Sequence, residues 1–575
     1  MWGAFAVAVA ALLTYANSLG NGFVWDDPII LSRQLVVFRS AGDVLAPPRD
    51  IPQFSPDYYR PLTITSYLVD RAVGGERPFS FHLSVVLAHA AVAVLVYALA
   101  LQLLAGGPAA WIGALAAGLL FAVHPIHTES VAWAAGRSDV LATGFLLAAL
   151  LIHGRPGWSW GGSLLAGLCA AAALGAKETA VALYPLMLLR DLLVPDPARR
   201  RPADWLRGYA GPVAAGVVYV LLRRYALGEF VGSSPDALPA GQRSVGDLAG
   251  ALGAYAAKLL WPVDLNAYID HIDAGPLTVG LAIALFAGLG AAIWRWSGAV
   301  RTRRAEASRE PAAVLFALAW LLLTLLPSLT IAWKIPDAPM AERYLYLPSV
   351  GFCLLAGVLL ARLWAAARPG PARAALAVGC TAVLAAAALG SGRRNAVWHD
   401  DVALWQDTEP KSQVSGMAAR NLGTAYQQLG RAEEARAAFQ RALQRRNDAR
   451  GLQTVYNNLG TLAMLDSDYP AAQRFYEAAL QANPNAADTL FNLGLAVLHG
   501  GGMSRESAQA ALGWYQRALR LNPHDPDIEA ALAQAFDLLG QPETAVEHAR
   551  RALELGARGQ TADSLRARVK QAEAR

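Results

Sequence analysis

Residues 82–105 read HLSVVLAHAAVAVLVYALALQLLA, a stretch with no Asp, Glu, Lys or Arg. A helix rises about 1.5 Å per residue and a bilayer's hydrocarbon core is about 30 Å thick, so a run of this length can cross it. The same texture recurs on either side. Uncharged runs lie at 1–19, 106–123, 140–152, 160–176, 179–189, 209–222, 274–294, 311–333, 344–361 and 374–392, which with 82–105 makes eleven. Several are shorter than the ~20 residues of an isolated span, which suits helices packed against one another. The 575-residue chain as a whole is 55% apolar and 16% charged, against the roughly 25% charge of an ordinary soluble domain. That excludes a typical cytosolic enzyme.

Charge placement orients the runs. Arginines gather at 190–207 (Arg190, Arg199, Arg200, Arg201, Arg207), 295–309 (Arg295, Arg301, Arg303, Arg304, Arg309) and 362–373 (Arg362, Arg368, Arg373). The positive-inside rule puts these segments in the cytoplasm. All three can lie there only if 245–263, which holds Lys258 and ends in Trp261-Pro262, does not cross; it reads as an interfacial or re-entrant helix. Eleven crossings from a cytoplasmic N-terminus then place the loops 20–81, 124–138, 175–178 and 331–343 and the C-terminal tail on the outer side. Residues 1–19, lacking an n-region charge, read as an uncleaved first span. The net charge of +5 is too small to propose a nucleic-acid partner. Cys169, Cys353 and Cys380 all sit in apolar runs without a CxxC pair, which excludes a disulfide framework and a cysteine zinc site.

Beyond 392 the texture changes. Asn421-Leu422-Gly423 returns as Asn458-Leu459-Gly460 and Asn492-Leu493-Gly494, at intervals of 37 and 34 residues. This is the period of the tetratricopeptide repeat, in which small residues let paired helices approach and aromatics fill the gap. Tyr426 and Phe439, Tyr476, and Tyr515 take the aromatic positions, and a fourth unit runs through Leu532, Phe536, Ala545 and Ala552. The fold class is therefore all-α: a polytopic membrane bundle of about eleven spans over 1–392, with an outer loop at 20–81, then a soluble α-solenoid of about four repeats over 393–575. Such arrays bind extended peptides or partner proteins, though a plain spacer is the bland alternative.

Polar residues retained at span ends tend to be functional, and five clusters share the outer face. Asp26-Asp27-Pro28 offers two carboxylates suited to a general base or a divalent-cation site; Asp27 before Pro28 equally reads as a helix cap. Tyr58-Tyr59-Arg60-Pro61 supplies a cation. His124-Pro125-Ile126-His127-Thr128-Glu129 could ligate a metal, or Arg137 in Gly136-Arg137-Ser138-Asp139 could orient an anion. Lys177-Glu178 is either an ion pair or a phosphate contact. Glu342-Arg343-Tyr344 is either a lipid-phosphate contact or part of an interfacial aromatic belt. Together they suit a reaction on a lipid-linked phosphate, with a carboxylate activating the acceptor hydroxyl. No P-loop or G-x-G-x-x-G accompanies them.

The strings Tyr59-Arg60-Pro61-Leu62-Thr63, Phe81-His82-Leu83, His124 to Ala132, Gly136-Arg137-Ser138-Asp139, Lys177-Glu178 and Glu342 to Phe352 resemble the transmembrane-and-tetratricopeptide O-mannosyltransferases, over essentially the whole chain. The resemblance implies a glycosyltransferase of the GT-C type, using a polyprenyl-phosphate sugar, most simply mannose, in an inverting displacement. It implies an acidic base in the first outer loop, where Asp26 and Asp27 fall. The candidate substrate-binding residues are Arg60, His124, His127, Glu129, Arg137, Asp139, Lys177, Glu178, Glu342 and Arg343, of which Arg60, Arg137, Lys177 and Arg343 would hold the phosphate. A divalent cation is a possible cofactor, and an acceptor protein held by the repeats is the expected partner. The Ala/Gly/Arg-rich composition suits a bacterial plasma membrane with periplasmic repeats. The alternative from another class is a membrane-anchored scaffold whose repeats recruit proteins without catalysis.

Overall fold

In lipid an apolar run has no water to satisfy its backbone and must close its own hydrogen bonds. All eleven runs accordingly form helices in the computed structural model, which describes every residue except 32–34, 36–37, 39, 48–57, 108, 195–200, 229–243, 302–304, 335–337 and 575. Of the arginines that orient the bundle, Arg199, Arg200, Arg303 and Arg304 lie outside the described residues. Eight described helices are long and apolar enough to cross a membrane: Trp2–Gly20, Pro78–Leu104, Ala134–His153, Pro202–Leu227, Pro276–Ala299, Glu310–Leu329, Ser349–Ala366 and Pro371–Val397. A ninth arises if Ala110–Val123 and Pro125–Ala132, bent by 46°, count as one. The molecule is a multi-pass membrane protein.

The expected eleven spans are thereby reduced among the described residues, and length is the reason. Trp160–Ala176 has 17 residues. The run at 179–189 divides into a 3-10 turn, Glu178–Ala182, and an 11-residue helix, Leu183–Leu193. That helix is only about 16 Å long, half the hydrocarbon core. Val245–Leu260, with 16 residues, also stays below span length; Ser244 and Asp247 open it with a reciprocal cap.

Small residues bring the helices together, as expected where lipid tails are as apolar as leucine. A Cβ on Gly113 would stand 2.5 Å from the Gly357 carbonyl oxygen, and one on Gly357 would stand 2.4 Å from that of Gly113. The helices Ala110–Val123 and Ser349–Ala366 thus touch backbone to backbone.

Two compact units divide the chain, Met1–Lys411 and Ser412–Arg575. Residues 393–411 belong to the first unit because Trp398 and Trp405 are buried there and Arg394 pairs with Asp407. The second unit is a row of helix pairs: Met417–Gln428 with Ala432–Leu443, Ala449–Leu465 with Tyr469–Ala482, Ala487–Gly500 with Arg505–Leu521, and Pro526–Leu538 with Pro542–Glu554. A further helix, Gly559–Glu573, follows them. The recurring glycine does what the period requires. A Cβ at Gly423, Gly460 or Gly494 would lie within 2.6 Å of Phe439, Tyr476 or Tyr515 in the partner helix.

Candidate active site

Five short segments between the helices of the first unit converge on a cavity of ≈ 440 Å³. Asp26, Arg60, Lys177, Glu178 and Arg343 line it, with Tyr58, Tyr67, Trp133 and Tyr344 as aromatic walls and Ile29, Ile30 and Ile64 on the apolar side. Local backbone explains the placement. Arg60 precedes Pro61, which starts the helix Pro61–Gly74, so Arg60 stays out of the helix. Lys177 ends Trp160–Ala176 in the β conformation, φ −159° and ψ 138°. Lys177 is extended while Glu178 opens the 3-10 turn, and the two side chains bond to different partners.

Each cation in the wall has its own carboxylate. Arg60 holds Glu178 in a two-pronged pair, Nε to Oε2 at 3.0 Å and the terminal nitrogen to Oε1 at 2.7 Å. Lys177 Nζ reaches both Asp139 oxygens at 2.7 Å. Arg343 pairs with Glu129, which also accepts the Arg343 backbone N–H at 2.8 Å. Burial alone would push the Glu178 carboxyl up, but Arg60 overrules it and holds it at about 2. Burial also lowers Lys177, against the opposing pull of Asp139. Tyr344 lies beneath two of these cations, with Lys177 5.3 Å and Arg343 4.9 Å from its ring centre.

The adjacent aspartates separate. Asp27 is buried and spent on backbone: Oδ2 accepts Val24 N–H at 3.2 Å and Oδ1 accepts Ala135 N–H at 2.8 Å. Its burial raises the carboxyl to about 7, against the pull of those two donors. It is no helix cap, since the three-residue helix Asp27–Ile29 has Asp26 at its N-cap position without a side-chain bond. Asp26 faces the cavity, and among the described residues its carboxylate has no hydrogen bond or ion pair. Burial raises it above 3.8; Arg343 opposes the rise and Asp401 adds to it.

Other sequence candidates lie away from the cavity. His124 donates from Nε2 to Leu259 O at 3.0 Å and accepts Ile126 N–H at Nδ1. His127 donates from Nδ1 to Phe121 O at 2.9 Å and sits 2.7 Å from Ser349 Oγ. Both histidines are buried, and their ring nitrogens are occupied in joining helices. Arg137 is 2% exposed: it pairs with Asp70 and donates to Ala134 O at 3.1 Å and Phe81 O at 3.0 Å. Glu342 is buried behind the wall, accepting Lys258 Nζ at 2.8 Å and Asn266 N–H at 2.6 Å. Among the described residues no three His, Cys, Asp or Glu side chains group as ion ligands. Sequence reasoning missed Asp70, Trp133, Tyr67 and Asp401; of these only Trp133, which directly follows the quoted histidine motif, had a local signal.

A family profile for the tetratricopeptide repeat matches residues 414–485. Protein O-mannosyl-transferase Tmtc1 of Drosophila melanogaster is 27% identical over 531 residues, covering 75% of this chain and 60% of its own. Protein O-mannosyl-transferase TMTC2 of Homo sapiens is 40% identical over 143 residues, covering 24% of this chain and 17% of its own. Among solved structures, the crystal structure of MamA aligns with 27% of this chain and 85% of its own, at 17% identity and a TM-score of 0.23. The chain spans 60% of the Drosophila relative's length. The chain is similar to the transmembrane-and-tetratricopeptide O-mannosyl-transferases over most of its length, and the resemblance read from its motifs is borne out.

Proposed function

We propose that the chain transfers a sugar, mannose by kinship, from a polyprenyl-phosphate donor to Ser or Thr hydroxyls of a protein held by the repeats. The observation that carries this reading is Asp26, among the described residues the one wall carboxylate without a cation of its own. Asp26 takes the proton of the acceptor hydroxyl while that oxygen attacks the anomeric carbon and the bond from that carbon to the phosphate oxygen breaks. Attack from the face opposite the phosphate inverts the centre. The departing phosphate gains charge, and Arg60, Lys177 and Arg343 are the groups that answer it. Glu178, Asp139 and Glu129 hold those cations in place and keep the cavity wall near neutrality. A carboxyl raised by burial is a stronger base than an exposed aspartate once it is deprotonated.

Asp27, His124, His127, Arg137 and Glu342 carry the frame rather than the chemistry in this reading. Among the described residues the wall does not fit a divalent cation, because it offers one unpaired carboxylate among three cations and Asp27 is turned to backbone. A scaffold that merely anchors repeats has no use for such a cavity. The Ala/Gly/Arg-rich composition supports a bacterial inner membrane, and the Arg-rich segments support placing the outer loops and the repeats on its periplasmic side.

The test is Asp26→Asn in the full chain, assayed with polyprenyl-phosphate mannose and a pool of Ser/Thr peptides. Release of polyprenyl phosphate should fall roughly 10²- to 10⁴-fold, the usual contribution of a general base, with the melting temperature unchanged. Wild-type turnover in that variant removes Asp26 from the mechanism.

A further inference from the structure

Trp25, immediately before Asp26, has φ +56°. A bulky side chain occupies that left-handed region only where its surroundings impose it. Its N–H donates to Asp401 Oδ1 at 2.8 Å. Its ring stacks on Trp133 with centroids 4.9 Å apart and meets the edge of Trp405 at 5.3 Å. Asp401 and Trp405 lie one turn apart on the helix Asp401–Thr408, so a single short helix supplies both the acceptor and a wall for the ring.

The surrounding chain is fixed to the same loop. Gly22 N–H donates to His399 O at 2.9 Å and Asn21 Nδ2 to Asn395 O at 3.1 Å. Asn395 Nδ2 in turn reaches Thr14 O at 3.0 Å and Asn17 Oδ1 at 2.8 Å. The left-handed turn at Trp25 sets the direction in which the next residue leaves, and here it sends the two aspartates to different tasks. Asp401 does not line the cavity.

We propose that Asp401 is a positioning residue for Asp26, holding Trp25 in the left-handed turn that aims the Asp26 carboxylate into the cavity. The inference rests on the reading of Asp26 as the base.

The test uses the full chain in nanodiscs with polyprenyl-phosphate mannose and the peptide pool. Asp401→Ala should lower kcat roughly 10- to 100-fold, the scale of a misplacement of about 1 Å. KM for the donor should stay within about twofold, since donor contacts are untouched. Asp401→Asn keeps a carbonyl oxygen for the Trp25 N–H and should retain kcat within about threefold. It also removes the like charge beside Asp26 while leaving Arg343, so the acid limb of the pH profile should move to lower pH. A role in folding alone would lower the yield of folded protein while the folded molecules kept the wild-type kcat. Wild-type kcat in Asp401→Ala, or a loss of kcat in Asp401→Asn as large as that in Asp401→Ala, overturns the proposal. Asp26→Asn measured alongside separates the two readings: if it is active the base assignment fails, and if it is inactive while Asp401→Ala is normal only the positioning role fails.

Discussion

Arg137 and Arg60 are both arginines paired with carboxylates in the first unit, yet they differ in what remains of their bonding capacity. A guanidinium has five N–H donors in a fixed fork. Arg137 distributes its donors over Asp70, Ala134 O, Phe81 O and Ser66 Oγ, lies over the Tyr67 ring at 4.3 Å, and is closed off from solvent. Arg60 gives one edge of its fork to Glu178, is 23% exposed, and opens onto the cavity. The pairing is similar, and the free volume beside it is different. A cation becomes available to a ligand through the donors its own partner leaves over, not through its presence in a motif.

Removing each arginine should sharpen that contrast. Arg137→Ala leaves Asp70 buried without a counter-ion and should cost about 3–5 kcal/mol, the range for breaking a buried pair. It should be read as loss of monodisperse protein in detergent, whatever the substrate. Arg60→Ala should give folded protein whose donor binding weakens roughly 10- to 100-fold, the worth of a charge-assisted hydrogen bond. Measured by donor titration, a folded Arg137→Ala with weakened donor binding would reverse the assignment of the two residues. The smallest effect is on pH. Asp26 must be deprotonated to act and its carboxyl is raised, so turnover should fall as pH drops through a value above 3.8. A limb at or below that value would mean that burial does not govern the carboxylate, and that solvent or the pull of Arg343 does.

The sequence disclosed the two parts of the fold well, for physical reasons. Charge-free runs have few alternatives to a helix in lipid, and the spacing of Asn-Leu-Gly at 37 and 34 residues is set by helix pairs that touch at the glycine. Span number was less legible. Hydropathy does not reveal that 179–189 breaks at Ala182 into a turn and a helix too short to cross. In the site, the motif residues Arg60, Lys177, Glu178 and Arg343 do converge on one cavity. The sequence could not tell which polar groups would face it. Lys177 and Glu178 are neighbours that bond to different partners, and His124 and His127 are held by carbonyls of Leu259 and Phe121. Asp70 and Asp401 were invisible because their partners, Arg137 and the Trp25 N–H, lie far away along the chain.

Asp26 and Asp27 resemble a duplicated residue, but they give no redundancy. Asp27 cannot turn towards the cavity without releasing the N–H groups of Val24 and Ala135. Asp26, a step away, cannot reach those donors. Genetically the pair should behave as two essential positions with distinct phenotypes. Losing one yields a protein that is present and silent, and losing the other yields a protein that is scarce. A suppressor of the first is not to be found at the second.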